Sequence, residues 1–323
     1  MRYLPHTPET VEKLMNDDVA GIMVTNPNTL ILNTERKPSW LRKKVGYGAI
    51  FQNVQAVLES QRLHTVCEEA LCPNRGDCFS QGAATFLILG DRCTRDCRFC
   101  AVAHGPDGVT DPSEPLRVAE AVKTLGLNYV VITSVTRDDL PDGGASHFAA
   151  VIRNIRILSP HTVIETLIPD FMGSEEALGT VVSACPDVLS HNLETAPGLY
   201  PLIRPGSDYR RSLTILKRAG EMDRDIVLKS GLMLGIGETR EELCAVFSDL
   251  SQSGCVILSL GQYLQPDGDY YPVKRYVSPK EFEELRMIAL ETGFKEVASA
   301  PFTRSSYRAF EMYTALKSLP APQ

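Results

Sequence analysis

Phe86-Leu-Ile-Leu-Gly-Asp-Arg-Cys93-Thr-Arg-Asp-Cys97-Arg-Phe-Cys100 decides the reading of this chain. The apolar run Phe86 to Leu89 has the length and composition of a buried strand, and three cysteines follow it in a Cys-x3-Cys-x2-Cys arrangement. Downstream the rhythm repeats. Apolar runs at Tyr129 to Thr133, Val163 to Ile168, Val188 to His191, Ile226 to Met233 and Val256 to Leu260 alternate with amphipathic stretches. These are Pro115 to Leu125, His147 to Leu158, Glu175 to Ala184, Ser212 to Ala219 and Glu241 to Ser253. Strands alternating with helices in this way predict a parallel sheet with crossover helices. Its natural closure is an α/β open or partial TIM-type barrel, whose chemistry gathers at the C-terminal ends of the strands. The three cysteines stand in such a loop. Residues 1–80 lack the rhythm and read as an N-terminal extension with its own metal ligands. Residues 81–277 read as the barrel, and 278–323 as a C-terminal extension.

The bulk numbers narrow the function classes. A chain of 323 residues with 43% apolar side chains has ample material for a large core and is not disordered or fibrous in composition. No apolar run approaches the roughly 20 residues of a membrane span, and Met1 to Val24 has no signal-peptide pattern, so a cytoplasmic location is expected. There, nine cysteines are expected to serve metals or catalysis rather than disulfides. A net charge of -7 argues against a general nucleic-acid binder.

Soft thiolates suit zinc or iron-sulfur clusters. Structural zinc closes with four ligands, whereas Cys93, Cys97 and Cys100 leave one position open. On a 4Fe-4S cube that is one iron free for a small molecule. The competing reading is a zinc site closed by His104. A second triplet, Cys67, Cys72 and Cys78, has Cys-x4-Cys-x5-Cys spacing, and Pro73, Asn74 and Gly76 supply turns to fold its loop around a cluster. It too is one ligand short. Cys185, Cys244 and Cys255 are isolated in apolar settings and are expected to be small core residues.

The first triplet, with Phe99 before its last cysteine, resembles the signature of the radical S-adenosylmethionine superfamily. The two triplets together resemble the lipoyl synthase family, and further motifs carry that resemblance from about Lys37 to Ala309. They are Lys37-Pro-Ser-Trp-Leu-Arg, Ile132-Thr-Ser-Val-Thr-Arg-Asp-Asp-Leu-Pro-Asp-Gly-Gly144, Ile168-Pro-Asp-Phe, His191-Asn-Leu-Glu-Thr195, Ile203-Arg-Pro-Gly, Lys229-Ser-Gly-Leu-Met-Leu-Gly, Gly261-Gln-Tyr-Leu and Arg304-Ser-Ser-Tyr307. Residues 1 to about 30 depart from the usual start of that family.

The resemblance implies a partial (β/α)6 TIM-type barrel, two 4Fe-4S clusters, S-adenosylmethionine, and sulfur insertion at C6 and C8 of an octanoyl chain on a carrier lysine. Cys93, Cys97 and Cys100 would hold the cluster that binds S-adenosylmethionine. Cys67, Cys72 and Cys78 would hold a sacrificial auxiliary cluster, with Ser306 as fourth ligand and Ser305 as the alternative. Asn192 and Glu194, at the end of the fourth expected strand, would bind the ribose or amino group of S-adenosylmethionine, or else cap the barrel. The run Gly231 to Glu238 would admit the adenine. The implied partners are the glycine-cleavage H protein, the acyltransferase subunits of 2-oxo acid dehydrogenases, and a low-potential electron donor such as ferredoxin or flavodoxin. Arg36, Lys37, Arg42, Lys43 and Lys44 around Trp40 form either a docking surface for an acidic carrier or a solvated face. Two other readings compete. A radical methylthiotransferase acting on tRNA would need an RNA-binding domain and a basic balance; a non-catalytic zinc scaffold would need closed sites.

Overall fold

The computed structural model describes residues 37–43, 46–105 and 109–319. From Ser39 onward the chain is one compact unit. Ten strands are present among the described residues: β1 His64–Thr65, β2 Thr85–Ile88, β3 Arg92–Cys93, β4 Ala103–His104, β5 Tyr129–Ser134, β6 Val163–Leu167, β7 Val188–Ser190, β8 Val227–Leu234, β9 Ile257–Gln262 and β10 Glu296–Ser299. Eight form one sheet in the order β1-β2-β5-β6-β7-β8-β9-β10. β1 pairs antiparallel with β2, and every later pairing is parallel. β1 and β10 are the edges, so the barrel is open.

All six expected strands are there, within two residues of the expected limits. They were readable because a strand of a parallel sheet is buried on both faces and becomes a continuous apolar run. Leu189, Leu228, Leu258 and Leu260 pack outward under the helices. The crossover helices Glu114–Leu125, Ala145–Leu158, Glu175–Val182, Tyr209–Met222 and Arg240–Gln252 fall where their apolar periodicity placed them. Their starts carry local signals. Ser174 and Asp208 cap two of them by accepting amide hydrogen bonds, and Thr239 with Glu242 forms a reciprocal capping box on a third.

Both flanking stretches join this sheet. β1, ahead of the first barrel strand, extends one edge, and β10 adds a seventh parallel strand at the other. The sequence showed β10 only as part of a C-terminal stretch, because four residues of mixed polarity carry little periodicity. After β10 the chain turns back. Pro301 bonds Gln262 at the C-terminal end of β9. The helix Ala309–Lys317 then lies against the opposite end of the barrel, packing Ala309 and Met312 on Val131, Val188, Val227 and Ile257. Above that floor Glu165 accepts hydrogen bonds from Tyr129 (2.5 Å) and Lys229 (2.9 Å), and the Glu165 and Lys229 side chains are fully buried. No described helix is long and apolar enough to cross a membrane.

Candidate functional site

The first triplet lies past the C-terminal end of β2, as a barrel active-site loop should. Backbone bonds brace it on three sides. Thr94 N–H donates to the Thr136 carbonyl after β5, Arg98 N–H to the Ile203 carbonyl, and Tyr271 N–H to the Arg98 carbonyl. Arg95 ties the loop down further. It donates two bonds to Asp138 (2.7 and 2.9 Å) and one to Asp170 (2.5 Å), while Arg211 donates to the other Asp170 oxygen at 2.7 Å. Burial works against charge at both Arg95 and Asp170. The ion pairs outweigh it, raising the Arg95 pKa and holding Asp170 below the usual carboxylate range.

The thiols fit a cluster. Burial pushes Cys100 up to about 12 and raises Cys97, and Cys93 adds to both shifts, while all three thiols stay half-buried and open to a ligand. Such thiolates persist only against strong positive charge. Backbone N–H groups of Arg95 and Thr136 already point at Cys93 Sγ, at 3.5 and 3.3 Å. His104 does not close the set as a zinc ligand. Its Nδ1 lies 3.0 Å from the Arg95 carbonyl and its Nε2 3.4 Å from Asp96.

Asn192 and Glu194 arrive beside this triplet. Asn192 Nδ2 donates to Glu194 Oε1 at 3.0 Å. Burial raises the Glu194 pKa, against the opposing pull of Arg204 and Arg304, and its charge is felt by Cys97 and Cys100. Glu194 has a left-handed backbone (φ +64°), an unusual conformation that its bridge to Leu232 holds in place. Next to it, Asn192 Oδ1 packs where a Cβ on Gly231 would sit, 3.0 Å away. That close approach explains the first glycine of the Gly231 to Glu238 run. At the other end, Glu238 gathers the N–H groups of Gly235, Ile236 and Gly237.

Two residues here stood in the quoted motifs with no role assigned to them. Arg204 Nη1 donates to the carbonyls of Asn192 and Leu193 and to Tyr200 Oη, each within 3.1 Å, which fixes the backbone at the end of β7 and sets a guanidinium against Cys97. The signal was present as a lone charge in the apolar stretch Tyr200-Pro-Leu-Ile-Arg. His191 Nδ1–H donates to the Ile168 carbonyl at 2.8 Å, and burial holds the imidazole at about 4, hence neutral. Asn192 Oδ1, His191 Nε2 and Arg204 Nε are buried without a protein hydrogen-bond partner among the described residues. Polar atoms left so within one strand end suit a polar ligand.

The second triplet is assembled from both ends of the chain. Cys67 lies in the short helix Val66–Glu69 and Cys78 in the helix Arg75–Ser80, with Cys72 between them. Burial lifts Cys67 to about 12 and Cys78 to about 11, and Cys72 adds to each, so this set is close-packed and poorly solvated. Buried Asn74 donates from Nδ2 to the Phe302 carbonyl (2.7 Å) and accepts from Lys43 at 2.6 Å. Tyr307 donates to Asp77 at 2.7 Å, with Lys43 3.1 Å from the same Asp77 oxygen. This clamp brings Arg304-Ser-Ser-Tyr307 onto the triplet. Ser306 lines a cavity with Cys78, and Ser305 Oγ is buried without a partner among the described residues. Burial lowers the Arg304 pKa, against the opposing pull of Cys72 and Glu194.

Two expectations change. Lys43 is not a free docking charge, because Asn74, Asp77 and the Tyr307 ring (4.4 Å) engage its ammonium. Lys37, Trp40 and Arg42 are exposed, while Arg36 and Lys44 lie outside the described residues. Cys185 is exposed in a left-handed turn after its helix rather than a core residue, whereas Cys255 is buried as expected.

Comparison with known proteins places this geometry. Residues 87–250 match the model of the Radical SAM superfamily, and 12–72 that of the N-terminal domain of lipoyl synthase. The second match corrects the expectation that residues 1 to about 30 depart from that family, since from residue 12 onward the chain follows the family's own N-terminal model. Lipoyl synthase of Alkaliphilus metalliredigens is 54% identical over 280 residues, covering 87% of this chain and 97% of that protein. The lipoyl synthase of Desulfotalea psychrophila is 53% identical, covering 86% and 93%. Among solved structures, Streptococcus suis SuiB bound to S-adenosylmethionine aligns with TM-score 0.54 at 12% identity, over 70% of this chain and 55% of that one. HydG, a maturase of the [FeFe]-hydrogenase, aligns with TM-score 0.51 at 14% identity, over 77% and 68%. These two likenesses concern the fold alone.

Proposed function

This chain belongs to the lipoyl synthase family of the radical S-adenosylmethionine superfamily, and from that premise we propose how its residues divide the work. Its reaction is the family's, insertion of two sulfur atoms at C6 and C8 of a protein-bound octanoyl-lysine to give lipoyl-lysine, with 4Fe-4S clusters and S-adenosylmethionine as cofactors and lipoyl carrier proteins as substrates.

In our reading Cys93, Cys97 and Cys100 hold the cluster that takes S-adenosylmethionine. Cys67, Cys72 and Cys78 hold the auxiliary cluster, with Ser306 as fourth ligand. When bound, these groups supply a hydrogen-abstracting 5'-deoxyadenosyl radical and the sulfur that replaces the abstracted hydrogens. Everything else falls to the protein. Arg204 pins the carbonyls of Asn192 and Leu193, so that Asn192 and Glu194 meet the polar groups of S-adenosylmethionine in fixed positions. His191 stays neutral and adds no charge beside Arg204. The helix Ala309–Lys317 seals the barrel floor, which keeps water from an interior where a stray hydrogen source would quench a radical.

One observation carries this division: Asn74 and Asp77 bond Phe302 and Tyr307, and neighbouring Pro301 bonds Gln262 at the C-terminal end of β9, so the second triplet's loop is tied to the same end of the barrel that carries the first. In our reading the acyl chain enters there, between the two triplets. We assign the H protein and dehydrogenase acyltransferase subunits as carriers, ferredoxin or flavodoxin as donor, and the cytoplasm as location, in keeping with the reduced thiols. The test is anaerobic reduction of the iron-loaded protein with S-adenosylmethionine and an octanoyl-lysine peptide. The expected result is 5'-deoxyadenosine together with a peptide heavier by two sulfurs. Deoxyadenosine with no sulfur gained would overturn the role of the second triplet.

A further inference from the structure

We propose that His64, Glu69 and Asp91 form a binding site for one divalent first-row cation, iron(II) in the reduced enzyme, at the junction of the two triplet loops. One ligand atom from each of the three side chains lies within 4.8 Å of the other two. His64 stands in β1, Glu69 ends the short helix that holds Cys67, and Asp91 precedes Cys93 by two residues. Pairing of β1 with β2, His64 opposite Leu87, brings these segments together.

The donor set is one imidazole nitrogen and two carboxylates, which suits iron(II) or manganese(II) better than a soft ion. His64 Nδ1 and Glu69 Oε1 form a 2.9 Å hydrogen bond that a bound ion would replace, a separation close to the edge of about 3 Å that neighbouring ligands span on an octahedral ion bound at about 2.1 Å. His64 and Glu69 side chains are 41% and 31% exposed, so water can complete the shell. Two carboxylates close together also need a counter-charge. Among the described residues no lysine or arginine pairs with Glu69 or Asp91; the nearby Arg75 is drawn to Glu68 instead, at 3.7 Å.

Such a site has a use beside a cluster that surrenders its sulfide. A carbon radical that bonds a bridging sulfide would leave its electron on the iron, so iron freed of that sulfide would be iron(II), and a hard-ligand triad whose Glu69 shares the helix of Cys67 would hold that ion near the loop that must be rebuilt. That use rests on the proposed function; occupancy of the site does not.

The test is anaerobic titration of the holoenzyme with manganese(II), clusters oxidised and no S-adenosylmethionine present, followed by the resonance of free manganese. We expect one saturable site per chain, displaced by iron(II), with affinity falling on the order of tenfold or more in His64→Gln, Glu69→Gln and Asp91→Asn. Iron content and charge-transfer absorbance should stay at wild-type level, and the Asp91→Asn result decides if His64→Gln lowers cluster content. Absence of a saturable site, or equal affinity in wild type and Asp91→Asn, overturns the proposal. Failure of iron(II) to compete overturns the iron assignment. None of these readouts depends on sulfur insertion, so lipoyl formation can fail or succeed independently.

Discussion

The loop carrying Cys93, Cys97 and Cys100 and the loop carrying Cys67, Cys72 and Cys78 are held by different kinds of contact. The first hangs on neighbouring barrel loops, through Thr136, Ile203 and the pairing of Arg95 with Asp138, 43 residues away. The second depends on partners from the far end of the chain: Asn74 bonds Phe302 across 228 residues and Asp77 bonds Tyr307 across 230. A site braced by its own scaffold is rigid wherever the scaffold is. One braced by a distant segment can loosen without disturbing the barrel, which suits the sacrificial role proposed for the second triplet.

The largest expected effect separates the two sites outright. Cys97→Ala should abolish 5'-deoxyadenosine formation while leaving about four irons on the other triplet, whereas Cys72→Ala should keep S-adenosylmethionine cleavage and insert no sulfur. Iron analysis with product chromatography checks both, and loss of all eight or so irons from either variant would break the independence of the sites. Next in size, Arg95→Ala leaves buried Asp170 with Arg211 alone and should cost about 3 kcal/mol in anaerobic denaturation, with the first cluster lost before the second. Asn74→Ala strands the Phe302 carbonyl and should cost about 1–3 kcal/mol, with the order of cluster loss reversed.

The smallest effect is a pH dependence on the first site's side. His191 titrates at about 4 in the folded chain against 6.5 unfolded, so the unfolded chain binds the extra proton between those values. The stability it contributes is present above pH 6.5 and is lost as pH falls toward 4, about 2 kcal/mol of it by pH 5. His191→Asn should flatten the stability profile between pH 7.5 and 5. An unchanged slope would show that another group sets it.

How much of this was legible follows the same division. The strands and helices of the barrel were, because burial on both faces and helical periodicity are local signals. The grouping of six cysteines into two loops was, because thiol spacing within a loop is local as well. Arg204, Lys43 and Arg304 could not be assigned their roles that way. Each acts on residues its own neighbourhood does not name: Arg204 on the end of β7, Lys43 on Asn74 and Asp77, Arg304 on Cys72 and Glu194. A run of basic residues near Trp40 looks like a surface whether or not one of its members turns inward.

The clamp on the second triplet also fixes an order of events during synthesis. By the time Tyr271 has been made, the first triplet has every brace described for it. The second triplet's thiols are translated earlier, yet Asn74 and Asp77 wait for Phe302 and Tyr307. At roughly 5–20 residues per second the ribosome needs many seconds to travel that far. For that interval Cys67, Cys72 and Cys78 are reduced thiols in an unfinished cradle, so the chain must be spared oxidation before it can be given metal.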